Sequence, residues 1–215
     1  MSPLATSIAL IAGAYLIGSL SGNALLGRIK GLDARVPEAD DEAGSALRRG
    51  GWQFALAVAI FDLAKAAFAV WLGLTYSYQG QALTVSGHGY ACGLAAMLGH
   101  LWPLWHRLRG ERNGAALLGA LLILWPWVLA VLVVVWLAVL LATGYVALAS
   151  VLAACALPLW AWFTDADPPR LWFSLAAAAL VLVAHAGELR RVRSGNAPRF
   201  ARARMLHWLY RRGPR

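Results

Sequence analysis

The stretch from Gly114 to Phe163 runs for 50 residues without one charged side chain. Its only compatible surroundings are lipid and other parts of the protein. At 1.5 Å of rise per residue, as helix, it is more than twice as long as a hydrocarbon core of about 30 Å requires. It must therefore cross more than once, and as helices, because hydrocarbon offers no partner to a backbone N–H or C=O outside a regular hydrogen-bond pattern. Two breaks divide it. Trp125-Pro126-Trp127 stops a helix at its proline and sets aromatics at an interface, and Thr143-Gly144-Tyr145 is a turn signal with another interfacial ring. The first piece, Gly114 to Trp125, has 12 residues. Its reach of about 18 Å falls short of the bilayer, so it reads as a half-length helix buried among others.

The rest of the chain follows the same logic. Pro3 to Gly27, Trp52 to Tyr76 and Thr84 to Trp105 read as three spans before the uncharged run, and Arg170 to Ala186 as one after it, following the polar loop Thr164 to Pro169. The first has no positive leader and no clear cleavage site, so it is expected to be retained. The sum is an all-α, polytopic membrane protein of seven transmembrane helices, one of them short. It forms a single membrane domain over residues 1–198 with a basic tail at 199–215. With 60% hydrophobic and 13% charged residues, against about 25% charged in soluble domains, an ordinary soluble fold is excluded. Cys92 and Cys155 lie inside apolar runs away from any ligand-spaced partner, which makes them packing residues.

The net charge of +9 would suggest nucleic acid in a soluble chain, but here it reports orientation. Seven spans put the loops after spans one, three and five on the side of the C-terminus. That side collects Arg28, Lys30, Arg35, Arg48, Arg49, Arg107, Arg109, Arg112 and the arginines from Arg190 onward, 17 of the 19 basic residues. The positive-inside rule then sets the N-terminus outside and the C-terminus in the cytoplasm. Trp208 and Tyr210, among the tail arginines, suit an anionic leaflet. No nucleic-acid partner is expected.

Three segments on the basic face carry candidate chemistry. The small residues Gly18-Ser19-Leu20-Ser21-Gly22 precede Gly31-Leu32-Asp33-Ala34-Arg35 and a polar loop; by themselves they read equally as close helix packing. Gly99-His100-Leu101-Trp102-Pro103-Leu104-Trp105 leads through Arg107, Arg109 and Arg112 into the short helix at Gly114. Backbone N–H groups, a positive dipole end and guanidinium forks in that order suit a phosphate, although juxtamembrane arginines also serve topology alone. His185 to Phe200 leaves the last span. Asp62 and Lys65, three apart in span two, read equally as a functional pair and as an ion pair that staples helices.

These residues resemble the PlsY family of acyl-phosphate:glycerol-3-phosphate acyltransferases of bacterial inner membranes. The family pattern G-S-[IL]-P, then D-x-R, then L-R and D-x-x-K, corresponds to Gly18-Ser19-Leu20-Ser21, with Ser21 for the proline, Asp33-Ala34-Arg35, Leu47-Arg48 and Asp62-Leu63-Ala64-Lys65. A second block, G-H-x-F-P through F-K-G-G-K-G-V-A-T, aligns without a gap on Gly99 to Ala116, with Arg109 and Arg112 at its lysines. Thr143 to Ser150 and Ala184 to Arg199 resemble two further blocks. The resemblance implies transfer of a fatty acyl group from acyl phosphate to the 1-hydroxyl of glycerol 3-phosphate, giving lysophosphatidic acid. It implies no metal and no other cofactor, with membrane lipids around a monomer in the bacterial inner membrane.

It further implies His185, Arg112 and Ser150 as catalytic residues. Arg48, Arg35, Arg109, Ser45, His100, Asn113 and Glu188 would bind substrate and phosphate. The family's Ser/Gly/Asn/Thr phosphate loop, however, is replaced by Val36 to Ser45, with carboxylates at Glu38, Asp40, Asp41 and Glu42. G-G-K-G has become Gly110-Glu111-Arg112-Asn113, and Glu188 stands where the family has Asn. Carboxylates repel a dianion, so a paralogue with an altered acceptor, in which Asp40, Asp41 or Glu188 serves as base, or one without catalysis, stays open at this point.

Overall fold

The computed structural model describes residues 2–32, 42–78, 82–106 and 114–197, without the side chains of 42–45. Among them are nine α-helices and no strand: α1 Pro3–Gly18, α2 Gly22–Ile29, α3 Glu42–Thr75, α4 Val85–Leu101, α5 Ala115–Leu124, α6 Val128–Thr143, α7 Val146–Phe163, α8 Pro168–Ala184 and α9 Ala186–Arg193. They group into two compact units, Met1–Pro126 and Trp127–Arg215. The surfaces of both are apolar: Trp52, Val134, Trp162 and Trp172 are all more than half exposed, as side chains facing lipid would be.

In the first unit the opening span is not one straight helix. α1 stops at Gly18, and α2 leaves at 53°. The small-residue stretch causes the break. Ser19 Oγ donates to the Tyr15 carbonyl at 2.8 Å and Ser21 Oγ accepts the Ala24 N–H at 3.1 Å, capping α2. Serines placed this way offer the backbone an alternative to the continuing helix.

α1 and α4 run parallel at very close range. A Cβ on Gly99 would collide with the Tyr15 carbonyl and lie 2.8 Å from the Ser19 nitrogen; one on Gly18 would run into the backbone of Ala96. Polar clamps hold both ends of this pair. Tyr15 donates its hydroxyl to the Trp102 carbonyl at 2.8 Å. At the other end the fully buried His88 meets Ser7 Oγ through Nε2 at 2.8 Å and the Thr84 carbonyl through Nδ1 at 3.1 Å.

α3 starts ten residues before the expected Trp52, because two helical pieces join at Gly51 (φ 75°, ψ −176°). It runs antiparallel to α1 and α4, so that Lys65 meets His100 near the end of α4 while Leu74 packs by Gly89 near its start. Near its own start, Ala46, Phe54 and Val58 form a core with Leu26 and Leu32, and Lys30 Nζ lies 5.9 Å above the Phe54 ring. The half-length helix is found as expected: α5 has 10 residues. It lies alongside α3, with Gly119 pressed on the Leu63 carbonyl and Leu124 beside Gly89.

In the second unit α7 packs between α6 and α8, and α9 touches both α7 and α8. Gly144, in the left-handed region (φ 76°), ends α6 at the expected turn. α9 departs from α8 at 59°, with His185 at the corner. Among the described residues, by length and composition, two helices, Ala46–Thr75 and Val146–Phe163, are long and apolar enough to cross a membrane, and as many as four if each bent pair is one span.

The crossing of α1 and α4 yields a test. Gly99→Ala places a methyl where backbone already sits, and overpacking of this kind costs about 1–3 kcal/mol. The thermal midpoint of the purified protein in detergent is expected to fall clearly below wild type, whereas Gly13→Ala, at a position open in space, is expected to leave it unchanged.

Candidate functional site

In the first unit a buried polar cluster gathers at the break between α1 and α2. Lys65 Nζ lies 2.7 Å from Asp62 Oδ1, 3.0 Å from His100 Nδ1, and donates to the Leu20 carbonyl in the break between α1 and α2. Asp62 is fully buried, and Lys65 and His100 are 6% and 3% exposed. Breaking a helix in an apolar setting frees carbonyls that water cannot satisfy; Lys65 supplies the donor for Leu20. Gly22 leaves room for this cluster, since a Cβ there would lie 3.1 Å from Asp62 Oδ1. The i, i+3 pair seen in the sequence is thus an ion pair, and it also reaches a histidine on another helix.

Near the start of α3 the two adjacent arginines part. Arg48, the residue aligned with the family's arginine, is exposed. Arg49 turns inward, its Nη1 donating to Asn23 Oδ1 at 2.7 Å and its guanidinium lying beneath Gly27. Its Nε is buried and has no acceptor among the described residues. Neither Arg49 nor Asn23 was singled out from the sequence. An arginine two residues before a glycine kink looks like any other juxtamembrane cation, and only the fold brings Asn23 to it.

In the second unit His185 is 7% exposed at the corner of α8 and α9, with Nδ1 2.9 Å from the Val181 carbonyl. A carbonyl only accepts, so Nδ1 carries a proton, and in the neutral form of the ring the lone pair is on Nε2. Glu188 follows three residues later, half-buried in the first turn of α9, where a carboxylate suits the helix dipole. Ser150 lies on α7, and its Oγ accepts the Trp136 indole N–H at 3.2 Å. The hydroxyl is therefore oriented by its own unit. Arg35, Arg109, Arg112, Asn113, the Ser45 side chain and the acidic residues Glu38, Asp40 and Asp41 lie outside the described residues. Among the described residues no group of three or more metal-ligating side chains gathers.

Comparison with known proteins supplies the remaining context. The family model described as glycerol-3-phosphate acyltransferase matches residues 8–195. A glycerol-3-phosphate acyltransferase of Gloeobacter violaceus is 37% identical over 202 residues, covering 92% of this chain and 95% of its own. One of Laribacter hongkongensis is 35% identical over 199 residues, covering 90% and 96%. The fold is similar to that of PlsY, an integral membrane glycerol 3-phosphate acyltransferase solved in its glycerol 3-phosphate form, with a TM-score of 0.78, 24% identity and coverage of 90% and 95%. A second solved form, with lysophosphatidic acid, is similar at a TM-score of 0.77. With the family model running through both units and the relatives aligned nearly end to end, the chain belongs to the glycerol-3-phosphate acyltransferase family.

Proposed function

We propose that this protein transfers a fatty acyl group from acyl phosphate to the 1-hydroxyl of glycerol 3-phosphate, releasing inorganic phosphate and lysophosphatidic acid. The family match over residues 8–195 carries this reading. Relatives that bear the name align over nine-tenths of this chain, which favours the transferase over the paralogue with another acceptor or with none.

In the proposed reaction the 1-hydroxyl oxygen attacks the acyl carbonyl carbon, the C–O bond to phosphate breaks, and the phosphate leaves with the bonding electrons. His185 is the group suited to receive the hydroxyl proton, because its Nε2 bears the lone pair while Val181 holds Nδ1. Ser150, its oxygen already held by Trp136, orients the acceptor. Arg112 neutralises the phosphate that departs, aided by Arg109 and Asn113 of the same sequence block. Arg35, Arg48, Ser45, His100 and Glu188 complete the substrate contacts. Arg49, whose buried Nε has no acceptor among the described residues, joins them as a phosphate ligand.

The site works at the cytoplasmic side of the bacterial inner membrane, with the N-terminus outside and seven crossings. Two observations support this topology. The basic residues crowd one side, 17 of 19, and α1 and α4 run parallel while α3 runs against them, as spans one, three and two must.

Complementation of a strain lacking its own acyltransferase, together with phosphate release from acyl phosphate in the presence of glycerol 3-phosphate, tests the activity. Growth and acceptor-dependent release are expected, and their absence with well-folded protein would defeat the proposal. Arg112→Ala is expected to lower kcat by about a hundredfold or more, as removal of one charge-stabilising donor does. Arg49→Ala, checked for an unchanged thermal midpoint, is expected to raise the KM for glycerol 3-phosphate about tenfold with kcat little altered. An unchanged KM would return Arg49 to a purely structural role.

A further inference from the structure

An ammonium group has three N–H donors and no acceptor. The three atoms around Lys65 Nζ, the Asp62 carboxylate at 2.7 Å, the Leu20 carbonyl and His100 Nδ1 at 3.0 Å, use all three. His100 Nδ1 is then an acceptor, and the proton of the neutral ring is on Nε2. Asp62 Oδ1 lies 4.0 Å from that nitrogen, outside hydrogen-bond distance. The alternative proton distributions are poorer. Placing the Lys65 proton on His100 would give it to the weaker base. Removing it from the cluster would leave the buried Asp62 charge uncompensated, a costly state in an apolar interior.

We propose that Lys65 is a positioning residue that holds His100 in its Nε2–H tautomer, so that His100 serves a substrate phosphate as a hydrogen-bond donor and not as a base. The role toward phosphate rests on the function proposed above; the tautomer does not. The two motif histidines are then set in opposite senses by what meets Nδ1. A carbonyl at His185 leaves Nε2 able to take a proton, and an ammonium at His100 leaves Nε2 able only to offer one. The cation also ties His100 to the α1–α2 break, because the same ammonium holds the Leu20 carbonyl.

Nitrogen NMR of the full-length protein with ¹⁵N-labelled histidine, in detergent micelles, reads the tautomer directly. His100 signals are assigned by their loss in His100→Gln, or by elimination through substitution of the other four histidines. A neutral ring protonated at Nε2 is expected for wild type; an Nδ1–H tautomer or an imidazolium overturns the proposal. The double variant Asp62→Asn/Lys65→Met removes the charges together and keeps the fold testable if Lys65→Met alone does not fold. In it the ring is expected to lose its single tautomer and to show both neutral forms. An unchanged spectrum would show that Lys65 does not set it.

Steady-state kinetics on the same variant locates the phosphate. The KM for either glycerol 3-phosphate or acyl phosphate is expected to rise about tenfold, with kcat changed much less, as loss of one hydrogen bond to a charged group does. The substrate affected identifies which phosphate His100 meets. Both KM values unchanged would overturn the donor role. If wild type shows the expected spectrum but no acyl transfer, the function falls with the donor role, while the tautomer assignment stands.

Discussion

Hydrocarbon supplies no hydrogen-bond partners, and a helix that breaks within it exposes carbonyls that something must satisfy. In the first unit this demand falls on Leu20, and a buried ammonium meets it. The cluster around the break depends on this solution. An ammonium there needs a counter-charge, which Asp62 provides one turn earlier on the same helix. Its third N–H fixes a histidine from α4. The bend of α1 into α2, the close passage of α4 and the register of α3 are therefore joined through a single nitrogen atom. A buried ion pair adds little net stability, but here it ties together the α1–α2 break, α3 and the end of α4.

The architecture was legible in the sequence because bilayer physics leaves few choices. An uncharged run of 50 residues must be cut into helices, and its aromatic, proline and glycine signals marked the cuts at Trp125 to Trp127 and at Gly144 to within a residue or two. The half-length α5 followed from counting alone. The opening span was misread as continuous because hydropathy does not distinguish a small-residue stretch that packs from one that breaks. That distinction lies in the serine side chains, which turn back on Tyr15 and forward on Ala24.

The site was legible in part. Motif order pointed to His100, His185, Glu188 and the Asp62–Lys65 pair, all of which lie in buried or half-buried positions. It chose Arg48 over Arg49 because alignment sees adjacency in the chain. Which of two neighbouring side chains turns inward is decided by helical phase and by Asn23, twenty-six positions away. The protonation senses of the histidines were out of reach for the same reason: Val181 is local to His185, but the partner of His100 comes from another helix. Ser150 carries a bond from Trp136, fourteen residues earlier, a pairing made only when the turn at Gly144 folds α7 back on α6.

The clamp between His88 and Ser7, at the end of α1 and α4 away from Lys65, has a mechanical consequence. The two helices are pinned at both ends and touch backbone to backbone between them. Two rods fastened this way behave as one strut that neither slides nor splays. Any motion that admits a lipid-borne substrate to this unit has to be made by parts outside the strut. The bent α2 and the glycine-jointed start of α3 are the pieces whose geometry permits it, and they carry Arg28, Arg48 and Arg49.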